Sequence, residues 1–276
     1  MTFGVAAAVW GQTAGGVEVA TRARAFQPGE LVVVTATVPA AADALRVRAL
    51  GRVVPAFRMD DRTWQALVGI DLAVAPGKYS VSVETTTGRR LGQSLITIVS
   101  KTFPTRRLTV DPTFVNPPPA AIERLTREAA ELAALWKAPA SERLWTGGFV
   151  APVPTEATGS FGSRSVFNGQ PRTPHGGADF PSPEGAPIQA PSGGRIVLAR
   201  DLYFTGNTIV IDHGLGLFSL LAHLSSFAVR EGERIEAGQV IGAVGATGRV
   251  TGPHLHWAVR ANDARVDPLS VLALLR

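Results

Sequence analysis

The chain has 276 residues, of which 45% are hydrophobic and 18% charged, with 29 glycines, 20 prolines and no cysteine. This composition allows two domains with sizeable cores and excludes a disordered chain, disulfides, cysteine nucleophiles and thiolate metal sites. The formal charge is +5 without any lysine-rich run, so no nucleic-acid surface is indicated. No run of about 18 apolar residues occurs, so no transmembrane helix is predicted.

The first hundred residues show the pattern of a β-sandwich. The opening MTFGVAAAVWG fits either a signal-peptide remnant or a first strand. From residue 17 the alternation of apolar and polar residues predicts short strands separated by turn signals, and six or seven of them suggest an immunoglobulin-like plan. The predicted strands are VEVATRARAF, ELVVVTATV, ALRVRAL, TWQALVGIDL, KYSVSVET and QSLITIVS. The neighbouring Asp60 and Asp61 are interpreted as turn residues that face solvent.

A proline-rich connector, VDPTFVNPPP at residues 110–119, precedes a predicted helix. The helix has one apolar stripe at helical spacing, which we expect to pack on a domain rather than recruit a partner. Pro139 lies just beyond its end. The stripe consists of Ile122, Leu125, Ala129, Leu132, Leu135 and Trp136.

From about residue 145 the strand pattern returns, without the helix–strand alternation of a parallel sheet. Asp267 followed by Pro268 predicts the start of a short terminal helix. The predicted fold class is mainly all-β: an immunoglobulin-like sandwich over 1–105, a linker and helix over 106–140, and an antiparallel sheet domain over 141–276. The strands predicted here are GGRIVLARD, NTIVIDHG, FSLLAHLSS, ERIEAGQVIGAV and HLHWAVRAN.

All five histidines lie in this second domain, at positions 175, 213, 223, 254 and 256. In the strand HLHWAV, His254 and His256 share one face while Leu255 and Trp257 face the core. The histidines therefore form a polar wall of the kind that a metal site needs.

His175 and Asp179 are four residues apart, with glycines between them and prolines on both flanks, which argues against a helix. On an extended chain they share one side and can bind a single metal; the alternative is a turn with a capping aspartate and a surface histidine. Two imidazoles and one carboxylate give three protein ligands, the number typical of a catalytic zinc. The remaining imidazoles would be free for proton transfer or oxyanion stabilisation. The HExxH motif, which would supply a glutamate base on a helix, is absent.

Three motifs in order, HxxxD, AHLS and GxTGRxTGPHLH, carry a resemblance to a known family. The stretches GSRSVFNGQPRTPHGGADF, NTIVIDHGLGLFSLLAHLSS and GERIEAGQVIGAVGATGRVTGPHLHWAVR resemble the lysostaphin-type zinc metallopeptidases, over about residues 159–262. The N-terminal sandwich and the linking helix look like the accessory region of bacterial members of that family.

The resemblance implies that His175, Asp179 and His256 bind one Zn²⁺ per chain. It implies that His254 and His223 are the catalytic histidines, which orient the attacking water or stabilise the tetrahedral intermediate; the sequence does not divide these roles between them.

Three further positions are weaker. His213 fits the family pattern, and we expect it to be structural or to lie at the rim. Arg164 is a candidate for holding a substrate carboxylate, with an exposed structural arginine as the alternative. Ala258 stands where many relatives have an acidic residue, which bears on the surroundings of the metal rather than on its ligands.

The resemblance further implies a zinc-dependent endopeptidase that hydrolyses peptide cross-links or stem peptides of bacterial peptidoglycan, in the cell envelope, periplasmic or secreted. The alternative is a degenerate, non-catalytic member that regulates other cell-wall hydrolases. The hairpin VREGERIEAGQVIGAVG also resembles a biotinyl or lipoyl carrier, but no lysine follows Lys137 to carry the group. GAVGATG lacks the lysine of a nucleotide-binding loop. The bond cleaved, the oligomeric state, the export route and the role of the N-terminal domain stay open.

Overall fold

The structure is a computed structural model that describes residues 6–10, 16–40, 42–109 and 115–276. The first and last parts of the chain, up to Lys101 and from Ala261 to Leu275, form one compact unit, and Thr102–Arg260 with Arg276 form a second. The predicted linker and metallopeptidase domain therefore share the second unit, except for residues 261–275, which lie in the first. Of the opening apolar run, Ala6–Trp10 form a strand and residues 1–5 lie outside the described residues.

The described chain contains strands and two helices. The strands are β1 Ala6–Trp10, β2 Glu18–Ala23, β3 Leu31–Thr37, β4 Leu45–Ala49, β5 Arg52–Pro55, β6 Phe57–Arg58, β7 Thr63–Gly69, β8 Gly77–Thr85, β9 Arg90–Ile98, β10 Thr105–Leu108, β11 Arg164–Phe167, β12 Gln170–Pro171, β13 Gly177–Phe180, β14 Pro187–Gln189, β15 Gly194–Leu202, β16 Gly206–Gly214, β17 Leu217–Phe227, β18 Arg234–Ile235, β19 Val240–Val244, β20 Leu255–Ala261 and β21 Ala264–Val266. The helices are α1 Pro119–Lys137 and α2 Pro268–Leu274.

The first unit is a β-sandwich, as predicted. One sheet has the order β1-β2-β3-β7-β6 and the other β5-β4-β8-β9, and the pairings between their strands are antiparallel. Alternate residues of β2 and β9 are buried, because one side of each strand faces the partner sheet. Asp60 caps the turn before β7 by accepting from the backbone N–H groups of Arg62 and Thr63, which confirms the interpretation as a turn. The core includes Val19, Val32, Val34, Val47, Trp64, Val68, Ile70, Val81, Val83, Ile96 and Ile98.

Residues 261–275 belong to this sandwich, because ion pairs and a close contact between strands attach them to it. Asp267 accepts from the backbone N–H of Leu269 at 3.0 Å, which confirms the predicted helix cap. Arg24 bridges Asp267 and Glu30 at 2.6 and 2.8 Å. A Cβ on Gly69 would lie 2.5 Å from Cβ of Ala264, so a glycine is needed where the last strand passes.

Asp71 and Arg265 give this contact a pH dependence that can be tested. Arg265 donates to both Asp71 oxygens, at 2.8 and 3.0 Å, and although burial alone would raise the pKa of Asp71, these hydrogen bonds lower that pKa to about 2. A folded-state pKa below the unfolded value of about 3.9 stabilises the fold above pH 4, and this stabilisation is lost as the pH falls towards 2.

Asp71→Asn is therefore expected to lower the unfolding free energy of the first unit by about 2 kcal/mol at pH 7. Native-state hydrogen exchange of the β3 amides measures it, and the difference from the wild type should shrink towards pH 2. Asp61→Asn is the matched control, because the Asp61 side chain is 97% exposed. A pH-independent difference would contradict the assignment.

The second unit is built on a larger sheet with the order β13-β20-β17-β16-β15-β18, and β19 joins it by pairing with β17 and β14. The strand pairs β13–β20, β15–β16, β15–β18, β16–β17 and β17–β19 are antiparallel, as predicted. The pair β10–β11, which belongs to a separate sheet, is parallel. The segment ERIEAGQVIGAV, predicted as one strand, is two: β18 and β19 are separated by a turn in which Gln239 N–H donates to Glu236 O.

Helix α1 packs on this sheet, which confirms the predicted helix and its role. Proline occupies its first turn, and its apolar stripe ends on Leu132, Leu135 and Trp136. These pack on a buried cluster that includes Phe218, whose ring lies edge-on to Trp136 at 5.2 Å. Neither helix of the described chain has the length and apolar character that crossing a membrane requires.

Candidate metal centre

The pairing of β13 with β20 brings the predicted ligands together. Its register sets Asp179 directly opposite His256, and His175 lies two residues before β13. Nδ1 of His256 is 2.9 Å from Oδ1 of Asp179, and Nε2 of His175 is 3.2 Å from the same oxygen. The two ring nitrogens are 3.1 Å apart. The pairing of these strands therefore directs the nitrogens of His175 and His256 and one oxygen of Asp179 towards a single point.

This donor set fits a metal ion. Bonds of about 2.0–2.1 Å in a tetrahedral arrangement place ligand atoms about 3.3 Å apart, close to the separations found here. The three residues are half-buried, and their donor atoms lie within 4.8 Å of one another. Three protein ligands leave further coordination positions open for water or substrate.

The electrostatics of the cluster favour an ionised Asp179 beside a neutral His256. Burial alone would raise the pKa of Asp179, but hydrogen bonds from His175 and His256 hold that pKa well below its usual range. Burial lowers the pKa of His256. An ionised carboxylate and a neutral imidazole are the forms that bind a metal.

Two residues outside the predicted set hold the predicted ligands in place. Ser160 contacts His175 and Asp179. Its carbonyl accepts from Nδ1 of His175 at 3.2 Å, and its hydroxyl donates to Oδ2 of Asp179 at 3.2 Å. A Cβ on Gly177 would lie 2.7 Å from the His256 ring, so only glycine permits this approach. Neither residue was predicted from the sequence, because Gly177 indicates only that its segment is not a helix and Ser160 belongs to no recognisable motif.

His223 reaches the cluster through an irregularity in β17. Asn207 pairs with Leu224 but Ile209 pairs with Leu221, so β17 contains one extra residue at this point. His223 adopts φ 68°, a left-handed conformation that is uncommon for a non-glycine residue. A bulge of this kind redirects a side chain, and such conformations concentrate at functional sites.

The tautomer of His223 is set by the neighbouring loop. Its Nδ1–H donates to the carbonyl of Thr247 at 2.9 Å, so Nε2 carries the free lone pair of the neutral ring. Its backbone N–H donates to Thr205 O at 2.9 Å. Burial, and then the charge of His256, lower the pKa of His223 to about 4.

His254 lies beside both Asp179 and His223. Its Nδ1 donates to Gly252 O at 2.9 Å, and its Nε2 is 3.8 Å from Oδ1 of Asp179. The ring centroids of His254 and His223 are 4.9 Å apart, and those of His223 and His256 are 5.9 Å apart. The structure thus gathers four imidazoles and one carboxylate in a single cluster.

The fifth histidine lies in the core instead. His213 is buried, donates from Nδ1 to Gly193 O at 2.7 Å, and accepts at Nε2 from the hydroxyl of Ser219 at 2.9 Å. That hydroxyl also accepts from Nε1 of Trp257 at 3.1 Å. Burial lowers the pKa of His213 to about 4, so the ring is neutral and its partners are satisfied. These contacts suit the expected structural role.

Arg164 is not among the five clustered residues. It lies at the start of β11, its side chain is exposed, and its backbone N–H donates to Pro104 O at 2.8 Å. Within the part of the chain that the structure describes, no contact joins its side chain to the five clustered residues. Ala258 pairs with Gly177 across the two strands.

Comparison with known proteins agrees with this geometry. The family model described as Peptidase family M23 matches residues 173–268, which include all five clustered residues. A solved structure from Pseudomonas aeruginosa, provisionally assigned to peptidase M23, is 33% identical, covers 90% of this chain and 95% of that chain, and has a TM-score of 0.72. The chain belongs to peptidase family M23.

Curated M23 relatives carry more specific names. The DD-carboxypeptidase/endopeptidase Mpg of Neisseria meningitidis is 44% identical over 97 residues, and the peptidoglycan DD-endopeptidase ShyA of Vibrio cholerae is 44% identical over 96 residues. Each match covers 35% of this chain and 22% of the relative, so the chain spans about a fifth of their length. The likeness to these relatives therefore covers about a third of this chain.

Proposed function

We propose that this M23 peptidase is a zinc-dependent endopeptidase that hydrolyses cross-links or stem peptides of bacterial peptidoglycan. The observation that carries the proposal is the convergence of His175, Asp179 and His256 on one point, with His223 and His254 beside it. The names of the relatives in Neisseria and Vibrio support peptidoglycan as the substrate. Such a substrate would place the protein in the cell envelope, periplasmic or secreted.

The donor set supports zinc as the metal. Two imidazoles and one carboxylate are ligands that Zn²⁺ accepts, and three protein ligands are typical of its catalytic sites. When bound, Zn²⁺ lowers the pKa of a water ligand towards neutrality and polarises a carbonyl group. Ser160 and Gly177 hold the donors in the required positions.

His223 and His254 supply the proton transfers in this proposal. Each ring is fixed by a hydrogen bond from Nδ1 to a backbone carbonyl, at 2.9 Å in both cases, which leaves Nε2 available. A neutral Nε2 accepts a proton from the attacking water, and a protonated Nε2 donates to the developing oxyanion or to the leaving amine. Two rings 4.9 Å apart can serve these tasks without rearrangement.

The non-catalytic alternative is not favoured by any feature of the site. A degenerate member is expected to lack a ligand or a catalytic histidine, whereas here all five positions are present and lie in one cluster.

The N-terminal sandwich is proposed to position the M23 region.

Digestion of intact peptidoglycan tests the function. Purified full-length protein is incubated with sacculi, with and without a chelator, and new peptide termini are identified by mass spectrometry. We expect new termini at the D-Ala-to-diaminopimelate cross-link, or else in a glycine-containing bridge. Chelation should remove them and added zinc should restore them. No new termini from zinc-loaded protein would overturn the proposal.

A further inference from the structure

The segment 245–248, which is the GxTG part of the motif GxTGRxTGPHLH, packs against the bulge in β17 that carries His223. A Cβ on Gly245 would lie 2.4 Å from the backbone nitrogen of Ser225, so only a glycine permits this contact. The carbonyl of Gly245 also accepts from the backbone N–H of His254, at 3.3 Å. The segment therefore contacts the chain at both proposed catalytic histidines.

Thr247 holds His223 through two different groups. Its carbonyl accepts from Nδ1 of the His223 ring at 2.9 Å. Its hydroxyl donates to the carbonyl of Leu224, the next residue of β17, at 2.8 Å, and accepts from the backbone N–H of Asn207 at 2.9 Å. Asn207 and Leu224 are partners across β16 and β17 at the point where the extra residue occurs. The hydroxyl thus joins both strands at the bulge, while the carbonyl fixes the ring.

The hydroxyl is also in close contact with the turn before β16. A Cβ on Gly206, whose φ is 59°, would lie 2.4 Å from Oγ1 of Thr247. Replacing the hydroxyl by a methyl group would leave the backbone N–H of Asn207 without this acceptor. Because an unpaired N–H is costly where water does not reach it, the strand is then expected to shift towards another partner. His223 is one residue from Leu224, so such a shift moves its ring.

We infer that the hydroxyl of Thr247 is a positioning group for proton transfer, because it fixes the bulge that holds the His223 ring beside His254. The inference rests on the proposed function, which assigns proton transfer to His223. Thr247 acts through His223, so its loss should slow turnover rather than weaken the binding of metal or substrate. Proton transfer is sensitive to such losses, since it requires the two groups to lie within hydrogen-bond reach of each other.

Two substitutions of Thr247 test this inference. Thr247→Val keeps the shape of the side chain and removes the hydroxyl, whereas Thr247→Ser keeps the hydroxyl. In zinc-loaded, full-length protein, Thr247→Val should lower kcat on a cross-linked peptide about 10- to 100-fold, with KM and zinc content nearly unchanged. Thr247→Ser should retain most of the wild-type kcat.

Thr155→Val is the matched control. Thr155 is half-buried like Thr247, and its hydroxyl pairs with that of Ser182 at 2.8 Å. This variant should keep the wild-type kcat. An unchanged kcat in Thr247→Val, a loss that lies in KM or zinc content instead, or an equal loss in Thr247→Ser would overturn the inference.

NMR of the histidine rings separates this result from a failure of the proposed function, because it needs no cleavage. The zinc-loaded protein carries isotope-labelled histidine, and His223→Gln identifies the His223 signals as those that disappear. The proton on Nδ1 of His223 should exchange with water faster in Thr247→Val than in the wild type or Thr247→Ser. Faster exchange supports the inference even if the wild type cleaves no peptide, which would sink only the proposed function. An unchanged rate in Thr247→Val would sink the inference itself.

Discussion

Replacing His254 with alanine is expected to abolish most peptide hydrolysis while one metal ion stays bound to each chain. The Nε2 of His254 lies beside the proposed ligand atoms, 3.8 Å from Oδ1 of Asp179, but the set of three proposed ligands is complete without it. Loss of a proton-transfer group costs about 100- to 10,000-fold in kcat. Single-turnover hydrolysis of a cross-linked peptide, with metal content measured by mass spectrometry on the same sample, gives both numbers.

His256→Ala is the companion variant and should behave differently. Nδ1 of His256 is one of the three converging donors, 2.9 Å from Asp179, so its removal leaves two protein ligands. We expect this variant to lose the metal and, with it, the activity. Equal metal loss in the His254 and His256 variants would show that the two histidines do not have separate roles.

Gly177→Ala is expected to have an effect almost as large, although it removes no ligand. The added methyl would lie 2.7 Å from the His256 ring and 2.5 Å from the Trp257 carbonyl, so the ring or the strand must move. A shift of a ligand by a fraction of an ångström spoils the convergence of three donors. Metal affinity should fall by at least about 10-fold, as judged by competition with a chromophoric chelator.

Gly252→Ala is the control for this experiment. A Cβ there would meet nothing within 4 Å, and the carbonyl that accepts from His254 is retained. Its metal affinity should match that of the wild type. If both alanine variants bind metal normally, the close packing of Gly177 against His256 is not what positions the ligand.

Strand periodicity allowed the sequence to predict the polar wall of the site. Leu255 and Trp257 are fully buried, and His256 turns to the other side, as the alternation in HLHWAV indicates. The pattern works here because a strand with one buried face fixes the direction of every side chain. Which strand pairs with it, and in which register, is a long-range property that the alternation does not contain.

The position of His223 could not be predicted in the same way. Regular alternation through FSLLAHLSS does not reveal the extra residue in β17 or the φ of 68° that turns the ring to the cluster. The bulge depends on contacts with Thr205 and Thr247, which are 18 and 24 residues away in the sequence. Ser160 and Gly177 were missed for a similar reason, since each acts through a contact in space.

The sequence also did not predict that residues 261–275 belong to the first unit. Asp267 and Pro268 predict the start of α2, but a capping residue does not indicate the surface on which the helix packs. The decisive contacts are with Arg24 and Asp71, which are 243 residues from Asp267 and 194 from Arg265. Local signals thus fixed the element and left its partner undetermined.

X-ray absorption at the zinc edge of the loaded, full-length protein tests the arrangement of the site most directly, because it counts the imidazoles bound to the metal. With His175, Asp179 and His256 as ligands, the spectrum should show two imidazoles per zinc, and still two in His254→Ala. His256→Ala should leave no stoichiometric zinc to measure. Three or four imidazoles in the wild type, or the loss of one in His254→Ala, would contradict the assignment of His223 and His254 as catalytic residues that do not bind the metal.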